Sequence, residues 1–272
     1  MQLFIREITG KDELHAVEEL QKEVWEIPDI DVVPLTQLIA AKKAGGVLIG
    51  AFDNDLLVGF SYGFAGFEHG KATHHSHMLG VKPTYRNHHL GYRLKLAQRE
   101  FVLAQGIDEM TWTFDPLQSV NAYFNFRRLG VVSNDYLIDF YGVDASSSLH
   151  RNGTDRLWVR WNLDSRRVTE RIEKEVAETK IDNAKPLLQM GNESRPVYVD
   201  SFGEQLPEKA FIEIPSRIGE VQNQNLEIAA VWRTATQTAF IKAFSLGFSV
   251  TDFVRGEIKG KYLLTRRSPD SV

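Results

Sequence analysis

The stretch Thr73–Gln105, THHSHMLGVKPTYRNHHLGYRLKLAQREFVLAQ, constrains the chain more than any other. An alternating segment ends at Val81-Lys82-Pro83, a polar turn follows over Thr84–His89, and a helical pattern opens at Leu90-Gly91. A strand, a turn and a helix in that order make an anion site. The first amides of the helix lack internal partners, and the helix dipole adds partial positive charge there.

The rest of the chain supplies the frame for this element. Leu3–Ile8 alternates and reads as a first strand; Thr9 with Asp12 reads as a capping pair. Leu14, Val17, Leu20 and Val24 recur at helical spacing, giving a helix to about Glu26. Pro28 and Pro34 bracket a break, and Leu35–Ala44 forms a second helix ended by Gly45-Gly46. Val47–Phe52 and Leu56–Phe64 flank a hairpin turn at Asp53-Asn54-Asp55, and a second turn falls at Glu68–Lys71. In the helix of the opening stretch, Leu90, Leu94, Ala97, Phe101 and Ala104 share one face. Met110–Phe114 is a fifth strand and Ser119–Leu129 a further helix. After Gly130-Val131 the last strands are expected near Tyr136–Gly142 and Leu157–Leu163. The order β, α, α, β, β, β, α, β, α, β, β implies a mixed, mainly antiparallel sheet covered by helices, an α/β (α+β mixed) fold.

With 32 basic and 36 acidic residues the formal charge is −4, and no basic run appears, which weighs against nucleic acid or an anionic membrane as partner. The absence of cysteine excludes disulfides, thiolate metal sites and thiol nucleophiles. No apolar run approaches the ~20 residues of a membrane helix and the N-terminus has no signal-peptide pattern, so a cytoplasmic protein is expected.

Two local patterns resemble the GNAT superfamily of acyl-CoA-dependent N-acyltransferases. Leu79-Gly80-Val81-Lys82-Pro83 precedes Arg86-Asn87-His88-His89-Leu90-Gly91, similar to a Leu-x-Val-x-Pro strand end followed by Q/R-x-x-G-x-G/A; His89 stands where the first glycine would be. Later, Asn121-Ala122, Phe126 and Gly130-Val131 resemble the family's Asn-Ala helix, with Val131 in place of Phe. The resemblance covers about Met1–Leu163. It implies that the fourth and fifth strands splay apart to admit pantetheine, which bonds to backbone near Leu79, Gly80 and Val81. The amides of Arg86, Asn87, His88, His89, Leu90, Gly91 and Tyr92 would receive the pyrophosphate, and Asn121 and Phe126 would complete the cofactor contacts. The co-substrate implied is acetyl-CoA or another acyl-CoA, succinyl included. The acceptor expected is a small-molecule amine or amino acid, with a homodimer compatible and no metal.

Acyl transfer needs the free amine. A lysine-like amine of pKa ~10.4 is unprotonated only about once in 2,500 at pH 7, whereas an α-amino group near ~8 is far less costly to deprotonate. Histidine is the best-matched base. With a period of two, His75, His77, Leu79 and Val81 share one face and His74, Ser76 and Met78 the other. His75 falls where some members hold a glutamate and is the first candidate base; His77 is the second. The plain alternative is a packed or surface histidine. Zinc could take His75 and His77 with His88 or His89, but no supporting carboxylate sits at a helical histidine spacing. Where many members protonate the departing thiolate with tyrosine, this chain has Phe126; Tyr123 is the substitute candidate, and Tyr141 could approach from the sheet. The break Trp25–Val33, with Asp29 and Asp31, is the expected acceptor pocket. A non-catalytic CoA-binding module is the alternative reading of the whole.

The remaining chain, residues 164–272, is expected to be a smaller α/β module beside a catalytic domain of residues 1–163. Ser165–Glu178 reads as a helix, Asn183–Ser194 as a turn-rich linker, and Val197–Asp200 and Ala210–Ile214 as strands. Leu226–Ser245 is helical, followed by Gly247-Phe248 and strands Ser249–Val254 and Lys261–Thr265. The spacing Ala239, Ala243, Gly247 repeats Ala122, Phe126, Gly130. That parallel predicts a partial second copy of the later acyltransferase half, without a phosphate loop.

Overall fold

The computed structural model describes residues 2–142, 152–174, 181–199, 202 and 206–266. The fold is mixed α/β with mainly antiparallel strands, in two compact units that divide between Trp112 and Thr113. Among the described residues no helix is long and apolar enough to cross a membrane.

The first unit holds β1 (Leu3–Glu7), β2 (Val47–Asp53), β3 (Leu56–Glu68), β4 (Lys71–Val81) and the start of β5 (Glu109–Phe114), hydrogen-bonded in that order. The pairs from β1 to β4 are antiparallel, and β4–β5 is parallel. Helices α1 (Lys11–Trp25) and α2 (Leu35–Lys43) bury Leu14, Val17, Leu20 and Leu38 against Phe52, Phe60 and Tyr62. The expected Thr9–Asp12 capping pair does not form. Gly10 is the N-cap without a side-chain bond, and Glu13 accepts from the Thr9 amide at 3.1 Å while pairing with Arg6. The longer Glu13 side chain reaches both donors. The β3–β4 hairpin closes through His69 and Gly70, at φ +51° and +81°.

On the opposite side of the sheet lies α3 (Leu90–Ala104). Its buried residues are Leu90, Leu94, Lys95, Gln98 and Val102, whereas Phe101 is 39% exposed. The buried face is therefore rotated from the purely apolar one read from the sequence. Two polar side chains take core positions, because Ser76 and His74 of β4 offer them polar partners.

Gly63 makes that approach feasible. A Cβ there would lie 2.3 Å from His74 Nε2, 2.7 Å from the His75 carbonyl oxygen and 2.8 Å from Gln98 Nε2. The carbonyl is backbone and cannot turn aside. Gly63→Ala is expected to destabilise the chain by roughly 1–3 kcal/mol in urea unfolding, as overpacking does; unchanged stability would show that the hairpin shifts freely.

The second unit contains β6 (Val132–Leu137), β7 (Arg156–Asn162), β8 (Lys185–Met190), β9 (Pro196–Tyr198), β10 (Lys209–Pro215), β11 (Phe248–Arg255) and β12 (Lys259–Arg266), in the sheet order β7-β6-β11-β12-β10-β8-β9. Its helices are α4 (Ser119–Ala122), continued as a π-helix over Tyr123–Leu129, then α5 (Arg166–Glu173), α6 (Ile218–Gln224) and α7 (Leu226–Ser245). The core stacks Phe126, Phe240 and Phe253 around Tyr262, with ring centroids 5.7, 5.1 and 4.8 Å from it.

Several sequence boundaries move. The expected end of α5 at Glu178 and Asp200 of the expected strand lie outside the described residues. The strand expected at Tyr136–Gly142 ends at Leu137, because Asp139 and Gly142 take φ +47° and +84°. The stretch read as a linker contains β8, whose Leu187 and Leu188 are buried; Pro186 is tolerated near the strand start. Nor does the division fall after Leu163: β6 pairs with both β7 and β11, drawing the chain from Thr113 onward into the sheet of the C-terminal strands.

The strand–helix–strand–strand parallel is present. Gly130 and Gly247 both end helical segments, at φ +77° and +80°. Ser133 and Val250, each three positions after its glycine, pair with one another across β6 and β11. Among the described residues, the connection from β8 to β10 has a short helical turn and β9 where the first copy has α3.

Candidate active site

The site begins where two strands part. β4 pairs with β5 only at His74↔Met110 and His75↔Thr111, although β4 continues to Val81. Its backbone edge beyond His75 has no β5 ladder. On the other edge β4 stays paired with β3, with a register shift at Tyr62/Gly63 that leaves His77 as an extra residue between Ser76 and Met78. This bulge resets the alternation. Met78 packs with the α1–α2 core and Gly80 faces Phe60 and Trp25, whereas Leu79 and Val81 turn towards Gly91 and Leu94 of α3. The expectation that Leu79 and Val81 share a face with His75 is therefore corrected: the extra residue inverts the pattern beyond it.

On the α3 side a buried polar chain crosses the start of the split. Lys95 is 2% exposed; its Nζ donates to Ser76 Oγ at 2.6 Å and lies 3.6 Å from the Trp112 ring centroid. Ser76 Oγ donates to Gln98 Oε1 at 2.8 Å, and Gln98 Nε2 lies 3.4 Å from His74 Nε2. Among the described residues no carboxylate pairs with Lys95, and burial lowers its pKa well below the usual 10.5. Lys95→Met is expected to raise stability at pH 7 by roughly 1–3 kcal/mol, since an apolar chain of like length removes the desolvation cost. A loss in urea unfolding would show that the Ser76 and Trp112 contacts outweigh that cost.

On the other side, His75 and His77 stand 6.3 Å apart, centroid to centroid, and both flank Phe64. His75 is half-buried, and its Nδ1 is 3.1 Å from the Thr111 hydroxyl. Burial first, then His77 and Lys95, lower its pKa to about 4. His77 is exposed, and burial lowers its pKa as well; its solvent contact limits that effect. Both rings are neutral at pH 7. If His75 Nδ1–H donates to Thr111, Nε2 is left as a proton acceptor.

The turn after β4 is a 3₁₀ helix over Pro83–His88, and His89 takes φ +54°, ψ +22°. The residue standing in for glycine thus adopts a glycine-like, left-handed backbone. Tyr85 braces the turn through Asp53 at 3.0 Å, and Arg86 Nε bonds the Val81 carbonyl at 3.4 Å with the side chain exposed. His88 and His89 are exposed, and Leu90 is fully buried as the anchor. α3 starts with no side-chain cap. A Cβ at Gly91 would meet only Leu79 Cδ2, at 3.8 Å, so internal packing does not require glycine there. Tyr92 is half-buried on the first turn.

The structure therefore brings His75, His77, Leu79, Gly80, Val81 and the Arg86–Tyr92 turn together in the first unit. Asn121, Tyr123 and Phe126 belong to the second. There, Asn121 is exposed and Tyr123 half-buried. Phe126 is fully buried, with the Phe114 and Tyr262 centroids at 6.0 and 5.7 Å. Tyr141 is 44% exposed, its hydroxyl 3.4 Å from Thr113 Oγ1. Asp29 lies in solvent, paired with Lys22 at 2.8 Å, as turn aspartates commonly are. Among the described residues no group of three or more His, Cys, Asp or Glu is placed to hold a metal ion.

No family model matches the chain, and no curated protein matches it. Solved structures do. Aminoglycoside 6'-acetyltransferase type Ii is 19% identical, aligned over 60% of this chain and 99% of its own, with a TM-score of 0.48. The ribosomal-protein-S18-alanine N-acetyltransferase of Escherichia coli is 11% identical over 66% of this chain and 99% of its own, at 0.47. A Desulfovibrio desulfuricans protein described as a GNAT-family acetyltransferase is 15% identical over 60% and 99%, at 0.48.

Sequence reading missed Lys95, Gln98 and Thr111. Lys95 and Gln98 fall outside the apolar face read from the sequence, and only the three-residue spacing between them points to a shared face. Thr111 gave no signal before its pairing with His75 was known.

Proposed function

We propose that this protein is an acyl-CoA-dependent N-acyltransferase working by direct transfer. The observation that carries the reading is the parting of β4 from β5 after His75↔Thr111, which leaves a backbone edge leading straight into the Arg86–Tyr92 turn. An extended pantetheine can add to that edge as a strand would. The uncapped N-terminus of α3 suits its pyrophosphate, and Arg86 is exposed beside it. The second copy offers a contrast: past Ile212↔Leu188, the buried Glu213 carboxylate accepts the Met190 amide at 2.9 Å, so a side chain occupies the matching edge.

In this reading the amine attacks the thioester carbonyl, and an amide near Leu79 stabilises the oxyanion. His75, or else His77, accepts the amine proton. Tyr123 is the proposed acid for the thiolate, a modest demand because a thiol of pKa ~8.5 leaves readily unprotonated. The proposed acceptor is a small-molecule amine or amino acid, and the donor acetyl-CoA or a longer homologue such as succinyl-CoA. The test is thiol release from a panel of acyl-CoAs with mixed amines, beside calorimetric CoA binding. Amine-dependent release supports the reading. Binding without release makes the protein a CoA-binding module, and no binding removes both.

A further inference from the structure

One face of the first unit gathers four rings beside the parting strands. Phe64 of β3 stands directly opposite His75 of β4, their ring centroids 5.4 Å apart, and His77 lies 5.8 Å from the same phenyl ring. Tyr62, two residues before Phe64, completes the row at 6.2 Å from Phe64 and 6.1 Å from His77. Tyr62 is buried, Phe64 half-buried and His77 exposed, so the row runs from the core out to solvent. Phe64 is a partly buried member of the core under α1 and α2, as are Trp25, Val33 and Leu35 at the edges of the break between those helices.

The charges around this row do not suit a polycation. After burial, the groups that lower the His75 pKa are His77 and Lys95, both cations when protonated, and burial alone lowers that of His77. Among the described residues no carboxylate acts on either ring. Acids of α1 and the break serve other partners: Asp29 pairs with Lys22 at 2.8 Å, Glu23 pairs with Lys82 at 2.7 Å, and Glu18 accepts the Leu35 amide at 2.6 Å. A second ammonium on the acceptor would enter this surface without a counter-charge. A single ammonium can rest over the Phe64 ring, and an aromatic body can pack edge-to-face along the row.

We infer that the acceptor is an arylalkyl monoamine, with one ammonium attached to an aromatic body that packs on Phe64 beside His75 and His77. The inference rests on the acyl-transfer reading and narrows its acceptor. The ring row selects the body of the amine, and the reacting nitrogen is left to the candidate base.

The test is kcat/KM for thiol release by the full chain, with acetyl-CoA and succinyl-CoA as donors and 2-phenylethylamine, ethylamine and spermidine as acceptors. The phenyl compound is expected to be preferred. Phe64→Ala should lower the ratio of kcat/KM for 2-phenylethylamine over ethylamine roughly tenfold, as loss of one aromatic contact implies. Taking that ratio cancels amine pKa and any damage common to the whole fold. Phe64→Leu keeps apolar bulk against the α1–α2 core and should lower the ratio as well, whereas Phe64→Tyr keeps the ring and should hold it near the wild-type value. A ratio unchanged in both Phe64→Ala and Phe64→Leu, or spermidine preferred over 2-phenylethylamine, overturns the inference and leaves acyl transfer standing. Release with other amines but not with 2-phenylethylamine does the same. Release with no amine removes the acyl-transfer reading and this inference with it.

Discussion

His75→Ala is expected to lower kcat for amine-dependent thiol release by roughly 10²–10⁴-fold, the usual worth of a positioned general base. CoA affinity should stay unchanged, because the ring faces the side of β4 away from α3. The ring sits at the last β4–β5 pair, held by Thr111 at 3.1 Å. His77→Ala should cost less, since His77 is exposed and, among the described residues, no side-chain hydrogen bond fixes its ring. A larger loss in His77→Ala would reverse the assignment, and no loss in either would leave deprotonation to water. The pH profile provides an independent check. A free histidine would put an acid limb near pKa ~6.5. With the His75 pKa at about 4, activity should instead rise steadily with pH through that region, following the free-amine fraction of the acceptor. An inflection near 6.5 would mean a base other than His75.

What was legible in the sequence was whatever depends on local patterns. The strand, turn and helix of Thr73–Gln105 are read correctly because proline, glycine and helical spacing act over a few residues. The strand–helix–strand–strand order over Ala210–Thr265 was legible for the same reason, through helical spacing and a capping glycine. The rest needed partners distant in sequence. No residue type announces the bulge at His77, yet it decides which way Leu79 and Val81 point. Lys95 reads as a surface lysine until Ser76 and Trp112 are brought beneath it. β8 reads as a loop because its Leu187 and Leu188 form a strand only against β10. The unit boundary also escaped, since β6 looks like the end of one domain until it is paired with β11.

His74 gives the second large expected effect, on stability rather than catalysis. It is fully buried; burial first, then Lys95 and His75, lower its pKa from 6.5 to about 4, and its Nδ1 has no hydrogen-bond partner among the described residues. The folded chain therefore binds this proton less readily than the unfolded chain. The stability contributed by the neutral ring is fully present above pH 6.5 and is lost as pH falls towards 4. At ~1.4 kcal/mol per tenfold in proton affinity, that loss is roughly 3 kcal/mol for His74, with a smaller contribution from the more exposed His75. Carboxylates with lowered pKa, such as Glu13 and Glu18, also weaken the fold in acid, so the measurement must be differential. His74→Gln keeps an acceptor for Gln98 Nε2 and removes the titration. Urea unfolding of both proteins at pH 7 and pH 4.5 should show the wild type losing about 2–3 kcal/mol more than the variant. Equal losses would mean that His74 is protonated in the fold without penalty. That would require water to reach it, and would contradict a sealed polar chain from Lys95 to His74.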